Sequence, residues 1–258
     1  MMNSTRHAKP LSHAVVGLAL GMVTAMSHST TAAQTLPTAQ RESAVETLSA
    51  RQQAIVPIAA FGAAGDMAGL HTALNEGLDA GLTVNDAKEV LTQLYAYAGF
   101  PRSLNALNEL MKVVETRKQR GVQDEEGKTP ARAIPKGDAL LAAGTANQTR
   151  LIGGPAKGAV YEFAPAVDQY LKAHLFGAIF ERDNLDWQSR ELATVGMLSA
   201  LPGADAQLQA HFGFSMNVGL SAAQLSQVEQ VLADKVDSKA AKQARDALSR
   251  QLATRVNR

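Results

Sequence analysis

The same helix-start pattern occurs twice in this chain, and it limits the fold more than any other feature. Gly81-Leu82-Thr83 and Gly219-Leu220-Ser221 lie 138 residues apart, and each is followed, three positions after its hydroxyl residue, by Asp86 or Gln224, as in a capping box. Apolar residues recur at helical spacing after both signals, and no stretch alternates apolar and polar residues as a half-buried strand does. We therefore expect an all-α fold made of two tandem helical repeats.

A sharp corner interrupts the first repeat at Gly99-Phe100-Pro101-Arg102. Proline lacks the backbone donor that a helix interior needs, and it disfavours helical backbone in the residue before it. The helix that starts at Thr83 should therefore end near Gly99. A second helix is predicted over residues 103–114, where one apolar stripe contains Leu104, Leu107, Leu110 and Met111.

Composition divides the remainder of the chain. Residues 44–118 and 161–235 are predicted to be the first and second repeats. Residues 119–160 are charged and contain Gly and Pro, which predicts a linker or a long surface loop. Residues 236–258 are rich in Ala, Lys, Arg and Asp, which predicts a solvated C-terminal helix with a fraying tail.

The N-terminal residues 1–33 have the features of a signal peptide. Arg6 and Lys9 are positively charged, residues 14–26 are apolar, and residues 31–33 are small. The apolar run is too short for a stable membrane span. We expect export to the periplasm or the medium by cleavage after about Ala33, with no stable membrane insertion afterwards; an uncleaved anchor is the alternative.

Charge and cysteine content exclude several classes of function. The formal net charge is +1, which gives no general attraction for nucleic acids or acidic membranes. The chain contains no cysteine, so disulfides, thiol catalysis and a lipoprotein anchor are all excluded. Metal-ligand spacings such as His-x-x-x-His and phosphate-binding glycine loops are also missing from the sequence, so no metal or organic cofactor is predicted.

Two segments resemble the carboxymuconolactone decarboxylase family. Leu91–Leu107, LTQLYAYAGFPRSLNAL, is similar to a Tyr-x-Gly-x-Pro corner in that family, and Leu175–His211 is similar to the core of γ-carboxymuconolactone decarboxylases. The resemblance implies an alkyl hydroperoxidase-like fold. It also implies self-association, because family members form rings of helical units, and two fused units in one chain suggest a trimer.

The second repeat is also similar to thiol-dependent relatives, the alkyl hydroperoxidases. Their pattern is Glu, then Cys-x-x-Cys, then His and Gly. Glu191, His211 and Gly219 occupy the matching positions, but Ala204 and Gln207 stand where those relatives carry cysteine. The peroxidase chemistry of a cysteine pair is therefore absent from this pattern.

The first repeat departs further from the same pattern. Gln53 and Ala73 occupy the Glu and His positions, and His71 lies two residues out of register, which is about 200° around a helix. The second repeat in turn lacks the Tyr-x-Gly-x-Pro corner. Each half thus keeps a different part of the family's site.

Glu191 and His211 are the predicted catalytic residues. Loss of CO2 from a lactone acid leaves electron density on the adjacent carbon, which must be stabilised and then protonated. Imidazole titrates near neutral pH and suits proton transfer, and a carboxylate partner fixes its tautomer. We expect His211 to donate or relay the proton and Glu191 to orient it, in a reaction that needs no cofactor.

Four further residues are predicted to bind the substrate. A guanidinium can hold a carboxylate with two hydrogen bonds, which favours Arg102 or Arg190 for this task. Tyr95 and Tyr97 lie on different sides of their helix. One of them is expected to pack in the core, and the other to face a pocket or a subunit interface and to donate a hydrogen bond to a developing oxyanion.

These features leave three functions open. The leading hypothesis is a cofactor-independent lyase or proton-transfer enzyme that acts on a small carboxylated lactone or related acid. The second is a non-catalytic binding or scaffold protein of the same fold, supported by the divided site. The third is an antioxidant peroxidase, which the lack of cysteine disfavours.

Overall fold

The computed structural model describes residues 47–256, which form helices joined by loops and contain no β-strand. The predicted signal peptide, residues 1–33, lies outside this described range. No helix within it is long and apolar enough to cross a membrane. In chain order the helices are α1 Ala50–Ala64, α2 Met67–Asp79, α3 Val84–Gln93, α4 Tyr95–Gln119, α5 Asp138–Ile152, α6 Ala159–Phe163, α7 Pro165–Tyr170, the π-helix α8 Leu171–Ile179, α9 Trp187–Ser199, α10 Asp205–Asn217, α11 Ala222–Lys235 and α12 Ser238–Val256.

Both predicted capping boxes start the helices that follow them. The Thr83 hydroxyl accepts a hydrogen bond from the Asp86 backbone N–H at 3.1 Å, and the Asp86 carboxylate accepts one from the Thr83 N–H at 3.0 Å. Ser221 and Gln224 exchange the same two bonds at 3.1 and 2.9 Å. Each box satisfies backbone donors that the first helical turn leaves unpaired.

The two halves of the chain repeat one helical arrangement. α1 to α4 correspond in order to α9 to α12, and α1 packs on α2 and α2 on α4 as α9 packs on α10 and α10 on α12. The two halves meet where α1 crosses α9. A Cβ atom on Gly196 of α9 would lie 2.7 Å from the Val56 carbonyl oxygen, so glycine permits this close crossing. The prediction of an all-α tandem repeat is confirmed.

The C-terminal segment differs from the predicted solvated helix and tail over 236–258. α12 is the counterpart of α4, so it belongs to the second repeat and extends it beyond the predicted end at residue 235. Its small residues explain the difference, because a row of alanines allows α12 to lie close to α10 and α11. The buried residues of this row are Ala240, Ala241, Ala244, Ala247 and Leu248.

The predicted corner lies at Gly99, where the backbone has φ +83° and ψ 159° and the two halves of α4 meet. This positive φ favours glycine. Beyond the corner, the predicted apolar stripe is only partly buried, since Leu104 and Met111 are exposed. The Ser103 hydroxyl donates a 2.7 Å hydrogen bond to the Leu91 carbonyl, and this contact turns the face of Ser103, Ala106, Leu110 and Val113 inwards.

A helix also occupies part of the predicted linker or loop over 119–160. α5 packs against the π-helix α8, and the two backbones meet at Gly144, where a Cβ atom would lie 1.8 Å from the Lys172 carbonyl oxygen. The Gly, Thr and Asn residues of α5 interrupt its apolar periodicity. The sequence of this segment therefore resembles that of a loop. Packing against α8 stabilises the helix although its apolar periodicity is weak.

Candidate active site

Glu191 and His211 meet in the interior of the second repeat. Glu191 lies on α9 and His211 on α10, and His211 Nδ1 is 2.8 Å from Glu191 Oε2. Glu191 is fully buried, and His211 is 8% exposed. Because a carboxylate only accepts hydrogen bonds, this contact places a hydrogen on Nδ1. It leaves Nε2, which bonds to no described residue, free for a ligand.

A cavity of about 650 Å³ lies beside the His211 imidazole. Its wall comes from three parts of the chain, namely the corner of the first repeat at Tyr97, the helix pair α9 and α10, and the segment from α5 to α8. The lining is mostly apolar and includes Leu171, Leu175, Phe176, Leu198, Leu201 and Phe214. Small-molecule sites commonly measure about 300 to 1,000 Å³ and have such linings.

Tyr97 is the tyrosine of the corner that reaches this cavity. Its ring meets the His211 imidazole edge to face, with 5.8 Å between ring centroids. Its hydroxyl is buried close to Thr194, without a hydrogen bond of good geometry to any described residue. Burial, and to a smaller degree the charge of Glu191, raises the pKa of Tyr97 far above its ordinary value, so the hydroxyl keeps its proton and remains a donor.

Tyr95 lies apart from this cavity lining. Its ring stacks on exposed Phe100 with 4.5 Å between centroids, and it packs against a small apolar cluster that includes Leu175 and Phe176. Burial raises the pKa of Tyr95. Tyr97 packs against the same cluster, but it also lines the cavity, which Tyr95 does not.

Arg190 is not placed to bind a substrate, which corrects its predicted role. The side chain is fully buried, and its guanidinium donates to Glu89 at 3.1 Å and to the Arg182 carbonyl at 2.9 Å. Burial disfavours ionisation of Glu89, but the bonds from Arg182 and Arg190 outweigh it and lower the pKa of Glu89. Arg190 therefore joins α9 to α3 of the other repeat as a structural ion pair.

Arg102 is also absent from the lining of the His211 cavity. It follows Pro101 in α4, and its guanidinium lies 3.9 Å from the point that a Cβ atom on Gly65 would occupy. This places it beside the end of α1, in the first repeat. The predicted clamp for a carboxylate therefore has no arginine at this cavity.

The comparison with known families matches the same two parts of the chain. The model of the carboxymuconolactone decarboxylase family matches residues 23–111 and 165–250, more than half of the sequence. The chain belongs to the carboxymuconolactone decarboxylase family. The first matched region contains Tyr97, and the second contains Glu191 and His211. No curated protein gives a significant match to the chain.

The positions at which thiol-dependent members of this superfamily carry cysteine also face the cavity. Ala204 and Gln207 both line it. A ligand at His211 would therefore meet a methyl group and an amide at these two positions.

The corresponding place in the first repeat holds no such acid–base pair. Gln53 and Ala73 line a separate cavity of about 400 Å³, and the Gln53 amide donates to the Leu48 carbonyl at 2.9 Å. His71 instead contacts Glu109 at 2.8 Å near the surface, where its side chain is 49% exposed. Of these two family positions, only the one in the second repeat combines the pair with the cavity.

Sequence reasoning missed the part of the site that α5 contributes. Gln148 of α5 is buried and lines the cavity, and Tyr161 of α6 lines it too. Both residues lie at the border of, or within, the predicted linker, where no family motif marked them. Within residues 47–256, no cluster of three or more His, Asp or Glu side chains has an arrangement that would hold a metal ion.

Proposed function

We propose that this chain is a cofactor-independent proton-transfer enzyme, a lyase or an isomerase, that acts on a small organic molecule beside His211. The observation that carries the proposal is the 2.8 Å contact between His211 Nδ1 and Glu191 Oε2 at the wall of a cavity of about 650 Å³. A histidine oriented by a buried carboxylate is suited to general acid–base catalysis.

In the proposed reaction, His211 Nε2 removes a proton from a carbon beside a carbonyl group and returns it to the same or a conjugated carbon. Glu191 fixes the imidazole tautomer and stabilises the imidazolium that forms. The electron pair of the broken C–H bond forms a carbon–carbon double bond, and the carbonyl π electrons move to the oxygen, where hydrogen-bond donors of the cavity wall stabilise the negative charge. In a lyase, the C–C bond to departing CO2 breaks instead, its electron pair passes through a new double bond to the carbonyl oxygen, and His211, in this case protonated at Nε2, donates that proton to the carbon.

The burial of Glu191 favours this proposal over a non-catalytic binding protein. Glu191 Oε1 is buried and makes no hydrogen bond with the described residues. Such an unpaired acceptor costs about 1 to 3 kcal/mol. A cavity that only holds an apolar ligand does not require a carboxyl group behind its histidine, whereas general acid–base catalysis does.

The test is deuterium exchange at the carbon beside the carbonyl of small lactones and ketones, followed by NMR in D2O. We expect the wild type to catalyse exchange and His211→Ala to slow it by at least about 100-fold. His71→Ala is the matched control, because it breaks an equally short His–Glu contact outside this cavity. Unchanged exchange in His211→Ala would contradict the proposed role, and a wild type inactive on every compound would favour the binding alternative.

We also propose export, on the pattern of residues 1–33. The mature protein is then expected to start near residue 34 in the periplasm or the medium. Mass spectrometry of the protein from its native compartment tests this, and an intact N-terminus would contradict cleavage.

Self-association is proposed as well, through the outer face of α4. Leu104 and Met111 are 56% and 64% exposed on this face, whereas Lys242 and Ser249 occupy the corresponding positions of α12. The fold itself therefore does not require apolar residues there, and exposed apolar patches are typical of interfaces. A trimer is the expected assembly by analogy with rings of helical units.

A further inference from the structure

No charged side chain lines the cavity beside His211 within the described part of the chain. Its polar lining consists of Tyr97, Gln148, Tyr161, Gln207 and His211. A carboxylate bound here would lose its hydration without a cation to replace it, and burial of an unpaired charge is unfavourable. The lining therefore disfavours an anionic ligand.

Gln148 is a polar residue of this wall whose side chain makes no hydrogen bond within the described residues. It is only 2% exposed, yet its side-chain amide makes no hydrogen bond with any described residue. Its amide nitrogen and oxygen are not among the inaccessible unpaired atoms of the described residues, so the amide remains reachable from the cavity, and a polar group without a partner in such a place favours a ligand that supplies one. Because Gln148 lines the cavity, a molecule in the cavity can supply the missing partner.

Asn147, next to Gln148, makes the side-chain hydrogen bonds that join α5 to α8, so this contact does not use the Gln148 amide. Asn147 donates hydrogen bonds to the Phe176 carbonyl at 2.9 Å and to the Glu181 carboxylate at 2.7 Å. These bonds, with the close approach at Gly144, join α5 to α8 and the residues that follow it. Gln148 is left without a structural partner.

We infer that the cavity accepts an uncharged carbonyl compound, such as a lactone, an ester or a ketone, and that Gln148 binds its oxygen. The inference rests on the proposed proton transfer at His211 and names the substrate class for that site. It replaces the carboxylated substrate that the sequence suggested, for which the predicted arginine clamp is missing. The amide N–H of Gln148 donates to the carbonyl oxygen.

The reaction of such a substrate balances without an oxidant or a reductant. His211 Nε2 takes the proton from the carbon beside the carbonyl, and the C–H electron pair forms a carbon–carbon double bond. The carbonyl π electrons move to the oxygen, which becomes an enolate that accepts a hydrogen bond from Gln148. The proton then returns to the far end of the conjugated system, and the double bond has moved.

The test uses two unsaturated lactones that differ in charge. α-Angelica lactone is uncharged, and the second probe is the same lactone ring with a carboxymethyl group. Binding of each to the full-length mature protein is measured by calorimetry, and double-bond migration is followed by NMR. We expect the uncharged lactone to bind at least about tenfold more tightly, equal to about 1.4 kcal/mol.

Gln148→Leu tests the residue. The variant removes the amide at similar size, and we expect it to weaken binding of α-angelica lactone about tenfold without lowering Tm, because the amide has no partner in the unliganded protein. Gln169→Leu, at an exposed position of α7 outside the cavity lining, is the control. A large loss of Tm in Gln148→Leu would show a structural role and overturn the assignment.

Other outcomes separate this inference from the proposed function. Three results would overturn the inference: the carboxylated lactone binds as tightly as the uncharged one or more tightly, neither probe binds at millimolar concentration, or Gln148→Leu binds the uncharged lactone as the wild type does. If Gln148-dependent binding occurs but the wild type moves no double bond and exchanges no deuterium, the proposed catalysis fails and the ligand class stands. If His211→Ala loses turnover but still binds the uncharged lactone, both stand.

Discussion

Removal of His211 alone should destabilise the protein more than removal of the whole Glu191–His211 pair. His211→Leu leaves the fully buried Glu191 carboxyl without its hydrogen bond to Nδ1, and Oε1 already has no partner. The double variant Glu191→Met with His211→Leu replaces both polar groups by apolar side chains. The surroundings of Leu192, Val195 and Leu208, all fully buried, suit such a replacement.

The magnitudes follow from the burial. Removal of one partner of a buried hydrogen bond leaves the other group unpaired and costs up to about 3 kcal/mol, whereas replacement of both partners by apolar side chains of similar shape can be nearly neutral or stabilising. A domain of this size changes Tm by about 2 to 4 °C per kcal/mol. We therefore expect His211→Leu to lower Tm by up to roughly 6 to 12 °C from a loss of up to about 3 kcal/mol, and the double variant to melt at or above the wild-type temperature.

Calorimetric and urea-induced unfolding of the wild type, both single variants and the double variant would complete this thermodynamic cycle. His71→Leu is the control, because His71 makes the same 2.8 Å contact to a Glu but is 49% exposed. An exposed pair contributes about 0 to 1 kcal/mol. Wild-type stability of His211→Leu, or a double variant less stable than either single variant, would refute the reasoning that the site is kept at a cost in stability.

Three further predictions concern the frame of the site and its surroundings. Gly144→Ala places a methyl group against the backbone of α8. We expect it to lower the free energy of unfolding by about 1 to 3 kcal/mol in a urea titration and to weaken ligand binding. Gly154→Ala, which has open space around it, is the control in the same titration. The ion pairs of Glu89 lower its pKa below the ordinary 4.5, so its contribution to stability is present above that pH and is lost as the pH falls through the lowered value. Melting curves from pH 7 down to pH 3 should therefore show a smaller acid-induced fall for Glu89→Gln, and an unchanged fall would contradict the linkage. The double variant Leu104→Lys with Met111→Lys should be monomeric in sedimentation velocity, and its helical circular dichroism should match that of the wild type. A wild-type protein that is already monomeric would disprove the assembly.

Local signals in the sequence determined where several helices begin and indicated which Glu and His to examine as a pair. The capping boxes at Thr83 and Ser221 act between neighbouring residues, so they are readable without tertiary structure. Gly99 and Pro101 place the corner for the same reason. The spacing of Glu191 and His211 matched a family pattern, and the structure brings their side chains to 2.8 Å.

Long-range packing decided the rest. Arg190 and Arg102 looked alike in the sequence, but the first forms an interior ion pair with Glu89, and the second lies beside the end of α1. The extent of the second repeat was missed because alanines are weak signals of burial, although α12 buries them against α10 and α11.

The cavity itself could not be deduced from any one stretch of sequence. It exists because the corner of the first repeat, the Glu191–His211 pair of the second and the α5–α8 segment meet around one volume. Helix caps and corners depend on interactions between residues that are close in sequence, so they can be predicted from short segments. The shape of the cavity, its mostly apolar lining and the unpaired amide of Gln148 depend on which distant helices pack together. The sequence by itself therefore determined the local parts of the site, namely the caps, the corner and the Glu–His spacing. Only the tertiary structure decided that these parts enclose one cavity.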